Sequence, residues 1–273
     1  MKKTILITGA SSGIGKATAI YFQQQGWNVI ATMRRPERET ELDKLDNVLL
    51  EKLDVLDVET IHQSIKNGIS KFGQIDAILN NAGYGAYGPL ESFPRENMIR
   101  QFNTNVIGLM DVTRAIIPHF RENKKGTIVN ISSIGGQMTF PLGSLYHGTK
   151  FAVEGISESL HYEMSEIGVK VKIIQPGFIA TDFGSRSFDF QPGDISEYQA
   201  IINALMQQWQ SPDTTVSPAS LVAQTIYNAV TDGTNQLRYR AGEDAHFLLD
   251  SRKKMTDDQF FSMMKSQPEE EVY

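Results

Sequence analysis

Tyr146-His147-Gly148-Thr149-Lys150 places a tyrosine and a lysine four residues apart. In a helix that spacing puts both side chains on one face. A phenol titrates near ~10, too high for a base at neutral pH, and a neighbouring ammonium favours its ionised form. Tyr146 could therefore move a proton at a substrate oxygen, with Lys150 tuning it. Ser133 lies 13 residues upstream, just past the strand-like run Gly126–Ser132, and could hydrogen-bond the same oxygen. His147 is the rival acid or base. One residue along a helix turns it about 100° from the Tyr/Lys face, so it reads as pocket rim or as structure. Ser133 lacks a G-x-S-x-G elbow, which leaves a serine hydrolase unsupported.

A second cluster, Thr8-Gly9-Ala10-Ser11-Ser12-Gly13-Ile14-Gly15, sits between the first strand-like run and the first helical one. A pyrophosphate needs bare backbone N–H groups and a helix N-terminus, with no Cβ in the way. Gly9, Gly13 and Gly15 meet those needs. Their G-x-x-x-G-x-G spacing differs from the G-x-G-x-x-G dinucleotide fingerprint, and Ala17 after Lys16 excludes a P-loop.

The elements that must hold these groups alternate along the chain. Strand-like runs cover Thr4–Thr8, Trp27–Thr32, Val48–Asp54, Ile75–Asn80, Gly126–Ser132, Val169–Gln175 and Gln236–Tyr239. Helix-length segments cover Ile14–Gln25, Glu37–Leu45, Val58–Phe72, Arg95–Arg121 and Leu145–Ile167. This alternation predicts an α/β fold of the Rossmann type: a doubly wound parallel sheet of about seven strands, with helices on both faces, in a single domain. The catalytic domain is expected over 1–242, with a looser, glycine- and proline-punctuated lid at about 183–217. Residues 243–273 read as a polar C-terminal extension, partly disordered and ending in Glu269-Glu270-Glu271.

The bulk numbers narrow the field. A net charge of -6 offers no general field for nucleic acid or an anionic membrane. Without cysteine there is no disulfide, thiolate metal site or cysteine nucleophile, and no metal ligand is assigned. Lys2-Lys3 precedes an apolar run too short for a signal peptide, and no stretch is long enough to span a membrane, so a cytoplasmic protein is expected.

With Asn80-Asn81-Ala82-Gly83 added to the glycine turn, Ser133 and the Tyr-Lys pair, the chain resembles the short-chain dehydrogenase/reductase family over about residues 2 to 240. The resemblance implies an oxidoreductase that interconverts an alcohol and a carbonyl with a nicotinamide cofactor. It makes Asn105, Ser133, Tyr146 and Lys150 the catalytic set, Asn105 helping to hold a water behind the lysine. Cofactor contacts are implied for Gly9, Ser11, Ser12, Gly13, Ile14 and Gly15 around the pyrophosphate, and for Asp54 at the adenine amino group. Asn81 and Gly83 would lie by the adenine ribose, Tyr146 and Lys150 by the nicotinamide and its ribose. Pro176-Gly177-Phe178-Ile179-Ala180-Thr181 matches the family's P-G-x-x-x-T element, with Ile179 and Thr181 at the nicotinamide.

The second strand-like run ends Ala31-Thr32-Met33-Arg34-Arg35, without the carboxylate that would bind NAD ribose hydroxyls. A guanidinium suits a 2′-phosphate instead, so NADP(H) is expected, with Arg34 the main contact and Arg35 the reserve. Phe178, Phe183, Phe188, Phe190, Tyr198, Met206 and Trp209, with Tyr84, Tyr87, Met138, Phe140 and Leu142, suggest a bulky apolar alcohol or ketone; packing of the lid or of a subunit contact explains them equally well. Gly184 and Gly193 would be lid hinges. Within the family the motifs look most like the branch around 17β-hydroxysteroid and retinol dehydrogenases, which implies a steroid-, retinoid- or lipid-like substrate and a homodimer or homotetramer built on the Arg95–Arg121 and Leu145–Ile167 segments. A 3-oxoacyl-carrier-protein reductase-like enzyme and a non-catalytic NADP(H)-binding sensor stand as alternatives.

Overall fold

The strands of the centre are apolar enough to be buried on both faces, and their side chains alternate between two cores. Ile5, Ile7, Val29, Ala31 and Leu79 face one cluster, while Leu6, Ile30 and Ile78 face the other. In the computed structural model, which describes residues 2–181, 187–210 and 216–265, the strands are β1 (Thr4–Ile7), β2 (Asn28–Met33), β3 (Val48–Lys52), β4 (Ala77–Asn80), β5 (Gly85–Tyr87), β6 (Gly126–Ile131), β7 (Val169–Pro176), β8 (Ile179–Ala180), β9 (Phe188–Phe190), β10 (Ser217–Pro218) and β11 (Arg238–Ala241). The helices are α1 (Gly13–Gln24), α2 (Val58–Phe72), α3 (Arg95–Phe102), α4 (Gly108–Asn123), α5 (Ser144–Ser165), α6 (Gln199–Gln210), α7 (Ala219–Thr231), α8 (Glu243–Lys254) and α9 (Asp257–Lys265).

Seven strands form one parallel sheet in the order β11-β7-β6-β4-β1-β2-β3. Helices α1 and α7 cover one face through Phe22, Val222 and Ile226; α2, α4 and α5 cover the other through Ile61, Ile116, Phe120 and Met164. The strand order reverses direction between β1 and β4, and a crevice opens beyond the carboxyl ends of strands at such a switch point. Two small parallel pairs, β5 with β9 and β8 with β10, extend the rim of that crevice. Among the described residues no helix is long and apolar enough to cross a membrane.

Two expectations need correction. The segment Glu37–Leu45 is not a helix but two 3₁₀ turns, Pro36–Arg38 and Leu42–Lys44. The buried Glu39 carboxylate accepts from the backbone N–H groups of Thr40, Glu41 and Leu42 and from Lys16, which fixes a turn instead. Arg95–Arg121 is interrupted by a π-helical turn at Asn103–Ile107 between α3 and α4. Helix α7 was not foreseen. The C-terminal extension begins with two helices: α8 and α9 bury Ala245, Leu249 and Phe260 against Ile134 and Met138. Phe183, Gly184, Pro212, the Trp209 side chain and Glu269-Glu270-Glu271 lie outside the described residues.

Candidate active site

The glycine turn sits at the carboxyl end of β1 and passes directly into α1. Gly9 (φ +69) and Gly13 (φ +54) occupy the left-handed region that disfavours a side chain. At Gly15 a Cβ would come within 2.3 Å of the Gly9 carbonyl oxygen and 2.6 Å of Asn81 Nδ2. Asn81 Nδ2 donates to the carbonyls of Thr8 and Gly9, at 2.9 and 3.1 Å, tying the turn to the end of β4. The result is a bare-backbone cradle at a helix N-terminus, which fits the pyrophosphate of a dinucleotide.

From this cradle a cleft of about 890 Å³ runs to the tyrosine. It is lined by Gly9, Ser11, Ser12, Gly13, Ile14, Arg34, Asp54, Asn81 and Gly83 together with Ser133, Tyr146, Lys150, Pro176, Ile179 and Thr181, Gly13 lying directly against Thr181. The two predicted groups of residues therefore share one cavity. Gly15 and Asn105 stand behind its wall. Arg34 is exposed and, among the described residues, has no carboxylate partner, whereas Lys16 is held by Glu39 and Glu41. Arg35 is exposed and does not line the cleft, so the reserve role predicted for it has no geometric support. Asp54 Oδ1 accepts from the Leu56 N–H, which orients the carboxylate at the cleft edge.

Tyr146, His147 and Lys150 lie in the first two turns of α5. Burial pushes the Tyr146 phenol up to about 12, against a hydrogen bond from Ser133 that favours ionisation. Burial likewise brings the Lys150 ammonium down to about 8, with Glu154 one turn further on opposing that shift. Lys150 Nζ donates to the Ile131 carbonyl at 2.8 Å and lies 5.7 Å from the centre of the Tyr146 ring. The expected tuning of the phenol by Lys150 is not seen: burial outweighs the opposing Ser133 hydrogen bond, and Tyr146 is a protonated group at neutral pH. Ser133 Oγ accepts from the Gly135 N–H at 3.0 Å, which fixes the oxygen at the start of a 3₁₀ turn.

His147 is not an acid or base. Its Nδ1 meets the Gly135 carbonyl at 3.0 Å and its Nε2 accepts from the Phe140 N–H at 2.9 Å. Those partners assign a neutral ring with the proton on Nδ1, and burial lowers its pKa further. The side chain staples the loop that carries Ser133. Asn105 is buried in the π-helical turn, where the extra residue aims it at Tyr84: its Oδ1 accepts from Tyr84 N, and its Nδ2 donates to Tyr84 O and to Thr149 Oγ1. Thr149 in turn donates to the Tyr146 carbonyl at 2.7 Å, so Asn105 reaches the tyrosine through α5 rather than directly.

The apolar side chains divide as well. Tyr84, Tyr87, Phe140, Phe178, Phe188 and Met206 line the cleft. Met138 is buried in the cluster with α8 and α9 instead, and Leu142 and Tyr198 line a shallow neighbouring groove. Asp244 was missed altogether. Its carboxylate accepts from the Phe178 N–H at 2.6 Å, and a Cβ at Gly177 would fall 2.0 Å from Asp244 Oδ2. The first turn of α8 thereby anchors the Pro176–Thr181 loop. An acid at a helix start reads in sequence as a complement to the helix dipole; the glycine just before it, Gly242 at φ +111, was the available signal.

A family model described as short chain dehydrogenase matches residues 3–192. An uncharacterized oxidoreductase of Schizosaccharomyces pombe is 45% identical over 235 residues, 86% of this chain and 99% of the relative. A 3-ketodihydrosphingosine reductase of Bacteroides thetaiotaomicron is 41% identical over 195 residues, 71% of each chain. A solved structure of ElxO with NADP bound superposes with a TM-score of 0.72 at 29% identity, over 88% of this chain and 98% of that one.

Proposed function

The chain belongs to the short-chain dehydrogenase family, and from that membership we propose an NADP(H)-dependent oxidoreductase that interconverts an alcohol and a carbonyl on an apolar, lipid-like substrate. The observation that carries the proposal is the convergence of Ser133, Tyr146 and Lys150 with the glycine cradle in one cleft. When bound there, the nicotinamide supplies or accepts the hydride. The protein's own groups do the rest. The N–H groups around Gly9, Ser11, Ser12, Gly13, Ile14 and Gly15 hold the pyrophosphate, and Asp54, Asn81 and Gly83 border the adenosine end. Ser133 steadies the substrate oxygen, and Tyr146, protonated at neutral pH, gives that oxygen its proton in the reducing direction. Lys150 holds the ribose hydroxyls beside the tyrosine. Pro176, Ile179 and Thr181 wall the nicotinamide end, and Asn105 positions α5. The test is NADPH oxidation against a panel of steroid ketones, retinal, aliphatic aldehydes and an acetoacetyl thioester. Consumption with the thioester alone would favour a 3-oxoacyl-carrier-protein reductase-like role, and no consumption at all a dinucleotide-binding sensor.

Arg34 supports the phosphorylated cofactor, as does the NADP in the related ElxO structure. Arg34→Ala should weaken NADPH binding about tenfold, the size of a charge-assisted contact discounted for exposure, and leave NADH binding unchanged. Fluorescence titration with both cofactors measures this. Equal losses for the two would remove Arg34 from the 2′-phosphate.

Lys150 gives a pH dependence. Its cation is present below about 8 and lost above it, so kcat/KM for NADPH, which reports the free enzyme, should fall as pH rises through about 8. Lys150→Met should lack that inflection. Initial-rate profiles check the pair, and a wild-type profile flat across this range would exclude a binding role for the ammonium.

Assembly follows the same reading. Ile99, Phe102 and Ile107 from the α3–α4 segment and Phe151 from α5 are large exposed apolar side chains, which supports a homodimer or homotetramer through these helices.

A further inference from the structure

The cleft that Arg34 and Lys150 line holds a further cation that neither the cofactor nor the proton transfer uses. Arg100, on α3, lines the cleft together with Tyr84 and Asp189. Its Nε donates to the Tyr84 hydroxyl at 3.1 Å, its Nη2 to Asp189 Oδ2 at 3.2 Å, and its guanidinium lies 5.0 Å from the centre of the Tyr84 ring. Asp189 is a scaffold rather than a free anion: it also accepts from Asn97 Nδ2 at 3.1 Å and from Gln191 Nε2 at 2.7 Å, and its side chain is 15% exposed against 57% for Arg100. A guanidinium carries five N–H donors in a planar fork. Two are taken by Tyr84 and Asp189, and the rest have no acceptor among the described residues. The cation is therefore held in place from behind and open in front, an arrangement suited to a planar bidentate acceptor.

Its place along the cleft follows from an aromatic wall. Tyr146 and Tyr87 have ring centres 5.5 Å apart, and Tyr87 and Phe188 another 5.5 Å. Side chains alternate along β9, so Phe188 and Asp189 leave it on opposite sides, yet both line the same cleft as Tyr146, Tyr84 and Arg100, which puts the ring wall and the guanidinium in one cavity. An elongated apolar body along the rings would deliver its distal end to the guanidinium.

We propose that Arg100 forms a distal subsite that takes the carboxylate terminus of an elongated carbonyl substrate, the aromatic wall holding its apolar middle. This rests on the alcohol/carbonyl reading above and names the substrate class it leaves open. The experiment compares nine- and twelve-carbon ω-oxo acids with their methyl esters and the matching n-alkanals, by NADPH oxidation in wild type, Arg100→Gln and Arg100→Lys. The acid should exceed its ester about tenfold in kcat/KM at one of the two lengths, the gain appearing in KM and shrinking with added salt. That ratio should fall to about one in Arg100→Gln and be partly kept in Arg100→Lys. An acid no better than its ester in wild type, or the same ratio in Arg100→Gln, overturns the proposal. If none of these aldehydes and nothing in the panel above is reduced, the alcohol/carbonyl reading fails instead; wherever the aldehydes are inert, calorimetric binding of the ω-oxo acid in the presence of NADP⁺ decides the subsite. Tighter binding to wild type than to Arg100→Gln supports it, and equal binding overturns it.

Discussion

Tyr146→Phe should lower kcat for carbonyl reduction by roughly 10²–10⁴-fold, the range for removing a positioned proton donor, while NADPH affinity changes far less. The substitution deletes one hydroxyl and keeps the buried ring, so packing against Tyr87 and His147 survives. What is lost is the proton that burial keeps on the phenol up to about 12. The Ser133 hydroxyl remains to polarise the oxygen, and because its Oγ is fixed by Gly135 the remaining rate belongs to a well-formed but proton-poor site. Single-turnover NADPH oxidation beside a fluorescence titration separates chemistry from binding. Turnover unchanged by the substitution would remove Tyr146 from the mechanism.

Phe260→Ala should cost about 3–5 kcal/mol of stability, as for other fully buried aromatics cut back to alanine. In a chain of this length that corresponds to a fall in Tm on the order of 10 °C. The ring closes the cluster in which α8 and α9 pack on Ile134 and Met138, the residues just past Ser133. Carbonyl reduction should therefore fall more than NADPH affinity does, since the glycine cradle lies on the other side of the switch point. Calorimetry with and without NADPH measures the first effect and initial rates the second. An unchanged Tm would mean that the C-terminal helices do not brace the catalytic loop.

The parts of this molecule that sequence made legible are those where a local pattern and the tertiary environment agree. Six of the seven sheet strands overlap the apolar-rich runs read for them, whereas β11, Arg238–Ala241, carries two arginines and is displaced from the expected Gln236–Tyr239 run. Helix α2 spans Val58–Phe72 as expected because Asp57 caps its start, accepting from Glu59 N, and Gly73 at φ +84 ends it. Spacing alone puts Tyr146 and Lys150 on one helix face; their grouping with Ser133 and Asn105 comes from the family motifs taken together with the glycine turn. The misses have the opposite character. Glu37–Leu45 has helix-like composition, but a single carboxylate, Glu39, captures three backbone donors and makes a turn more favourable. Helices α8 and α9 bury few large side chains, so their amphipathic signal is thin beside their charge. Asp244 and Arg100 gain meaning only from residues far away in sequence, Phe178 and Asp189, which no local window contains.

The π-helical turn at Asn103–Ile107 amounts to one residue threaded into a helix that would otherwise run straight from α3 into α4. Removing a single residue there would turn the i→i+5 pairings into i→i+4 ones and restore the even ladder, with α3 and α4 left close to their present phase. Arg100 and Gln101, which now meet Tyr84, would keep their side of the helix, as would Pro118 and the rest of α4, while the wide turn that carries Asn105 to Tyr84 would be lost. The extra residue is in this sense a local offset: it moves one side chain, Asn105, toward the wall of the cleft and leaves the floor beneath it undisturbed.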